Sequence, residues 1–408
     1  QNNVNTFDKQ YGLPALQVNI VPQTIGYTPA FNAAWAAETA MDIEWAHAAA
    51  PGAKIEVFEA NTGSFSDLLA SVDAARKDLS VSVISMSFGE SEPVDEQVTY
   101  DSHFTTPANH MPITFIASSG DTGDSPQYPA TSPNVLSVGG TTLKLYNGNF
   151  SSETVWNDSW GSSSGGASHY EPKPSYQSGI TLSNNRMVPD VAFDADPAAN
   201  VGGVNVYQTS SSGTAGNWTT GGGTSLGAPV WAGIIADANQ GRAALGHASL
   251  GNAVADVYAL SLYDFHDVSR GGNKDYQATA GYDMASGLGS PVAQYVIGDL
   301  TTIVDKYIPY TLPVPIGKAL GSVSTSSPTT GNATVSTSPT KAAVPSDPVA
   351  VDQVFGASEF HSQRFDALQT SQPLFDFDTL MDASHDDGDA DQMVDSLFHG
   401  RGAGKLRG

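Results

Sequence analysis

Pro112-Ile113-Thr114-Phe115-Ile116-Ala117-Ser118-Ser119-Gly120-Asp121 is an apolar, β-branched run that ends in Ser, Gly and Asp. Such a run reads as a strand buried on both faces, with a turn and a carboxylate at its C-terminal edge. Outward from it the same pattern recurs. Lys54–Ala60, Val81–Gly89 and Val135–Leu143 read as further strands. Asn32–Ala50, Ser64–Asp78 and Glu92–Asn109 read as helices between them. Strand and helix in alternation indicate βαβ units, so the expected fold is a doubly wound α/β domain with a mostly parallel sheet and helices on both faces. Open sheets of this kind bind ligands at the C-terminal ends of their strands, which is where Asp121 falls. The Gly/Ser/Thr-rich stretches Gly161–Ser168 and Thr209–Gly223 read as loops or hairpin connections.

The composition narrows the function classes. Of 408 residues, 40% are hydrophobic, enough for a large core. Seventeen basic against 42 acidic side chains give a formal charge of −25, which would repel a nucleic-acid backbone. With no cysteine there is no disulfide, thiolate metal site or thiol nucleophile. No apolar run approaches the roughly 18 residues of a membrane span, and the N-terminus lacks the basic and apolar regions of a signal peptide. From Thr311 onward the character changes. Residues 310–351 are expected to be a Ser/Thr/Pro-rich linker and residues 352–408 an acidic, disordered tail carrying the run Asp382–Asp391.

Three local patterns carry the chemistry. Gly222-Gly223-Thr224-Ser225-Leu226-Gly227-Ala228-Pro229 precedes the apolar run Val230–Ala238, so Ser225 is expected at a helix N-terminus, where N–H groups stabilise developing negative charge. An ordinary Ser/Thr cap is the plainer alternative. Glu38-Thr39-Ala40-Met41-Asp42 puts two carboxylates at i and i+4 on one face of an otherwise apolar helix. A solvated acidic face is the alternative there, as a turn Asp is for Asp121. Asp121-Thr122-Gly123 also matches the active-site tripeptide of pepsin-like proteases, but those need two copies on β-rich lobes, and this chain has one in an α/β setting.

Gly-Thr-Ser-x-x-x-Pro resembles the nucleophile motif of subtilisins and of the sedolisins, or serine-carboxyl peptidases. None of the nine histidines has the His-Gly-Thr context of a subtilisin base. The Glu-x-x-x-Asp pair and the Ser-x-Gly-Asp strand end instead resemble those of sedolisins, and weaker similarities lie at Ser85–Gly89 and Val188–Val191. The resemblance covers roughly Asn5–Pro309. It implies a subtilisin-like fold and an acid-acting serine endopeptidase on polypeptide substrates. Ser225 is then the nucleophile, Glu38 the general base, Asp42 its orienting partner and Asp121 the oxyanion-hole acid. It also implies one structural Ca²⁺, held by the side chains of Asp267 and Asp283 and the carbonyls of Val268, Thr279 and Gly281. Thr279 stands where the family usually has Gly.

Sedolisin catalytic domains begin with a strand and acidic turn ahead of the segment matching Thr6–Pro14, after a propeptide. The expected domain, residues 1–309, is therefore read as truncated at its head, its propeptide already removed. A secreted monomer is expected. The rival expectation is a catalytically silent, secreted, sedolisin-like peptide-binding protein that keeps a calcium site, and a second rival makes the acidic tail a partner-recruiting segment.

Overall fold

The computed structural model describes residues 1–146, 149–180, 182–198, 203–209 and 215–303. The expected linker and acidic tail lie outside them. The helices are α1 (Asn2–Tyr11), α2 (Ala33–Ala49), α3 (Phe65–Ala75), α4 (Glu96–Thr99), α5 (Thr224–Ala244), α6 (Ala253–Val257) and α7 (Ala293–Thr302).

The central sheet places Val191–Asp194, Val135–Tyr146, Thr114–Ser118 and Val83–Met86 side by side, all parallel. Asn149–Val155 folds back antiparallel onto Val135–Tyr146. All five residues of Thr114–Ser118 are buried, which explains why that stretch is apolar without alternation. Its side chains nevertheless divide by parity. Ile116 joins Leu136, Val138 and Val191 against Trp45 of α2 and Trp231, Ile234 and Ile235 of α5. Phe115 and Ala117 point the other way, into Leu69, Val72 and Ala75 of α3 with Phe104. Helices therefore cover both faces of the sheet, as expected of a doubly wound fold. Each fully buried large side chain contributes roughly 1.5–3 kcal/mol.

Two elements differ from the sequence reading. Lys54–Ala60 yields only the strand Glu56–Glu59, which pairs in parallel with Asn19–Pro22 in a separate two-stranded sheet. Glu92–Asn109 is not one helix but α4 followed by a 3-10 turn at Asp101–Phe104. Thr105 and Thr106 are β-branched and Pro107 lacks an N–H, so the chain past Phe104 favours extended backbone. The two Gly/Ser/Thr-rich stretches contain strands at their ends. Gly166–Pro172 pairs with Asn185–Val188, and Asn217–Gly221 closes a hairpin with Val204–Gln208.

Helices α2 and α5 pack closely where Gly233 meets Ala49. A Cβ on Gly233 would lie 2.4 Å from that of Ala49. This contact, at the C-terminal end of α2, sets the helix that carries Glu38 and Asp42 close against α5.

Candidate active site

The start of α5 is built for close approach to Asp121. Gly223, the N-cap, has φ 83°, and a Cβ there would lie 2.7 Å from Asp121 Oδ2, so glycine is required on both counts. The Thr224 N–H donates to Asp121 Oδ1 at 2.8 Å and its hydroxyl donates to the same oxygen at 2.7 Å. Gly120 N–H in turn donates to Thr224 Oγ1 at 3.0 Å. The strand Thr114–Ser118 and the N-terminus of α5 are thereby tied together through one carboxyl group. Asp121 opens onto a cavity on one side, while protein packed on the other raises its pKa above the usual carboxylate value. The Thr224 bonds oppose that rise.

Pro229 lies inside α5, five residues after Thr224. It has no N–H, so the Ser225 carbonyl loses its i+4 partner. Ser87, just past the strand Val83–Met86, occupies that place. Its hydroxyl lies 3.2 Å from the Ser225 carbonyl and 2.7 Å from Asp42 Oδ1. The Ser87 hydroxyl donates to Asp42 Oδ1, the shorter contact, and lies within reach of the Ser225 carbonyl, linking α2 to α5.

On α2, Asn32 caps the first turn by accepting from the N–H groups of Ala34 and Trp35 at 3.0 and 3.2 Å. Glu38 and Asp42 follow one turn apart. Burial pushes Asp42 up to about 7, against the Ser87 hydrogen bond. Glu38 is raised well above the usual range by burial first, then by the neighbouring Asp42 charge, while the Ser225 hydroxyl stabilises its ionised form. Its Oε1 is buried with no hydrogen-bond partner among the described residues. His47, on the same helix, faces elsewhere and contacts the Pro14 carbonyl at 2.8 Å and Asp8 at 3.4 Å.

Ser225, Glu38, Asp42 and Asp121 thus converge from two helices and a strand end that are distant in sequence. The sequence reading missed the linking roles of Ser87 and Thr224. Ser87 carried no local signal, since its partners are far away in sequence. For Thr224 the signal was adjacency to Ser225.

The second constellation also comes together. Gly281 N–H donates to Asp267 Oδ1 at 3.0 Å, and Thr279 N–H donates to Asp283 Oδ2 at 2.9 Å. Asp283 Oδ1 further accepts from the N–H groups of Ala285 and Ser286, both at 2.9 Å. The loop is therefore wrapped around its two carboxylates. Among the described residues no group of three or more His, Cys, Asp or Glu side chains is placed to hold a metal. Any ion here would rely on backbone carbonyls for the rest of its shell. With the carbonyls of Val268, Thr279 and Gly281 the two carboxylates would make an all-oxygen set, of the kind that suits a hard cation such as Ca²⁺.

The chain is similar to known proteins. The Subtilase family pattern matches residues 31–261. Kumamolisin from Bacillus sp. (strain MN-32) is 34% identical over 290 residues, covering 62% of this chain and 49% of that protein. Sedolisin from Pseudomonas sp. (strain 101) is 35% identical over 206 residues, 43% of this chain and 33% of sedolisin. The solved structure of Pseudomonas sedolisin (serine-carboxyl proteinase) complexed with two molecules of pseudo-iodotyrostatin superposes with a TM-score of 0.63 at 29% identity. That match covers 73% of this chain and 87% of the sedolisin chain. The chain spans about half or less of the length of these two curated relatives. With a family match over more than half of its residues and a sedolisin among its structural neighbours, the chain belongs to the subtilase family, in its sedolisin branch.

Proposed function

We propose that this protein is an acid-acting serine-carboxyl endopeptidase. The observation that carries the reading is the hydrogen-bonded frame around Ser225, in which carboxyl groups stand where a histidine base would otherwise be needed. The Ser225 hydroxyl oxygen attacks the scissile carbonyl carbon, and its proton passes to Glu38. Asp42, held by Ser87, orients Glu38 and shares its charge. The oxyanion is met by the Ser225 N–H and by Asp121, which must be protonated to donate. Glu38 then returns the proton to the leaving amine as the C–N bond breaks, and water hydrolyses the acyl-enzyme by the same steps in reverse order.

The two ends of this arrangement set opposite limbs of the pH dependence, Asp121 the upper one and Glu38 the lower. Glu38 has to lose its proton and Asp121 has to keep one, and burial raises the pKa of each. The window in which both conditions hold moves upward from the ordinary carboxylate range but stays tied to carboxyl groups. Asp267, Asp283 and the three carbonyls would hold a Ca²⁺ that cross-links the Phe265–Val268 segment to the Thr279–Asp283 loop, a structural rather than a chemical contribution. Polypeptides are the proposed substrates, and a secreted monomer is the proposed setting.

The test is digestion of a denatured protein between pH 3 and 8 by wild type and Ser225→Ala. Internal fragments that appear with wild type and vanish with the variant support the reading. Equal digestion by both, or none by folded wild type, defeats it.

A further inference from the structure

Asp121 stands between two walls. On its N-terminal side Gly120 is backed by Gln127, and a Cβ on Gly120 would lie 2.5 Å from Gln127 Oε1. The same amide oxygen would lie 3.1 Å from a Cβ on Gly89. This first wall continues into the Ser87–Ser91 run, whose last two residues pair antiparallel with Gln127–Tyr128. On the C-terminal side of Asp121, Thr122 and Gly123 face a different part of the chain. Ser162 N–H donates to the Asp121 carbonyl at 3.0 Å, and Lys274 N–H donates to the Gly123 carbonyl at 2.9 Å.

Between Asp121 and this second wall lies a cavity of about 260 Å³, bordered by Thr122, Asp158, Trp160 and Lys274. Whole small ligands occupy pockets of roughly 300–1,000 Å³, so this one has room for a single side chain. Its charges are unequally committed. Asp158 Oδ1 already accepts from the N–H groups of Trp160 and Gly161 at 2.7 and 3.2 Å and from the Trp156 indole at 3.2 Å. Lys274 is the one cation bordering the cavity. Its ammonium is 4.0 Å from Asp124 with both side chains more than half exposed, a pair that holds it weakly.

We propose that an extended substrate lies with its acyl side on the first wall along the Ser87–Ser91 run, passes Asp121 with its scissile carbonyl and then meets the second wall, so that the cavity is the leaving-group-side pocket of the cleft. Lys274 is its specificity-determining residue and selects a carboxylate side chain on the residue immediately after the cleaved bond. This inference rests on the peptidase reading above. The half-exposed indole of Trp160 flanks the pocket and covers the methylene stem of the incoming side chain.

The experiment uses synthetic peptides identical except for Glu, Gln or Lys immediately after the cleaved bond, assayed at pH 5, where a glutamate is mostly ionised. Wild type should favour Glu over Lys by about tenfold in kcat/KM, and Lys274→Glu should reverse the order. The wild-type ratio should also shrink as salt is raised, a reading that needs no variant. Equal ratios in wild type and Lys274→Glu, a wild-type ratio near one at low salt, or a preference that moves at the residue before the bond would each overturn the assignment while leaving the peptidase reading standing. Folded wild type that cleaves none of the peptides would overturn both.

Discussion

On the proposed mechanism Ser225 and Glu38 act as a unit, so removing either should cost almost as much as removing both. Ser225→Ala and Glu38→Ala are each expected to lower kcat by on the order of 10³-fold or more with little change in KM. Asp42→Ala should cost less, because Asp42 orients the base without receiving the serine proton, and steady-state kinetics on one peptide separate the three. Ser87→Ala supplies a finer check. Ser87 is what holds the Asp42 pKa down, so its loss should raise that pKa further and move the acid limb of the pH profile to higher pH. An acid limb that stays in place would show that Ser87 serves only the Ser225 carbonyl. The four side chains proposed as catalytic were legible in the sequence because each sits in a local pattern a few residues long. Ser87 was not, since its partners lie 45 and 138 residues away and a serine after a strand carries no signal of its own.

Elements were legible where the apolar run itself dictates one state. Thr114–Ser118 and the reading Val135–Leu143 were legible because burial on both faces favours a run without charged residues. Residues 92–109 could not, because their propensity leaves helix and turn close in energy and tertiary packing decides. That packing buries Glu96 fully, and no sequence pattern announces a buried Glu. Sheet membership of Glu56–Glu59 was likewise hidden, since pairing with Asn19–Pro22 depends on a distant segment. Gly233→Val would force α2 and α5 apart at Ala49, so it should destabilise by about 1–3 kcal/mol in denaturant unfolding. Unchanged stability would show that the helices have room to separate. The loop around Asp267 and Asp283 should gain from added Ca²⁺, with a rise in melting temperature equivalent to roughly 2.7 kcal/mol at a hundredfold excess over Kd. Asp283→Ala should abolish that rise, and a melting temperature indifferent to both Ca²⁺ and chelator would remove the ion from the account.

The whole molecule carries its acidity inside as well as outside. Glu96 and Glu171 are buried near Glu92, Asp101 and Tyr128, with Arg186 the nearby cation and His169 paired to Glu92 at the rim. Burial and mutual repulsion push Glu96 up to about 9 and Glu171 up to about 8. Folded-state values above the unfolded ones mean that the native protein binds more protons. Their contribution to stability is full below about pH 4.3 and is lost as pH rises toward 8–9. The melting temperature should therefore fall between pH 4 and pH 8, and Glu96→Gln, which keeps a neutral hydrogen-bonding group, should flatten that fall. A variant with the wild-type slope would place the pH dependence elsewhere. The same linkage between protons and function governs catalysis, and it yields the most direct test of the central claim that carboxyl groups replace a histidine. The measurement is the pH profile of kcat/KM for wild type and Asp121→Asn. Wild type is predicted to give a bell with its optimum below neutrality. Asn donates at every pH, so the alkaline limb of Asp121→Asn should move upward even if peak activity drops. An optimum at pH 7–8 in wild type, or an alkaline limb that stays in place in active Asp121→Asn, would contradict the account.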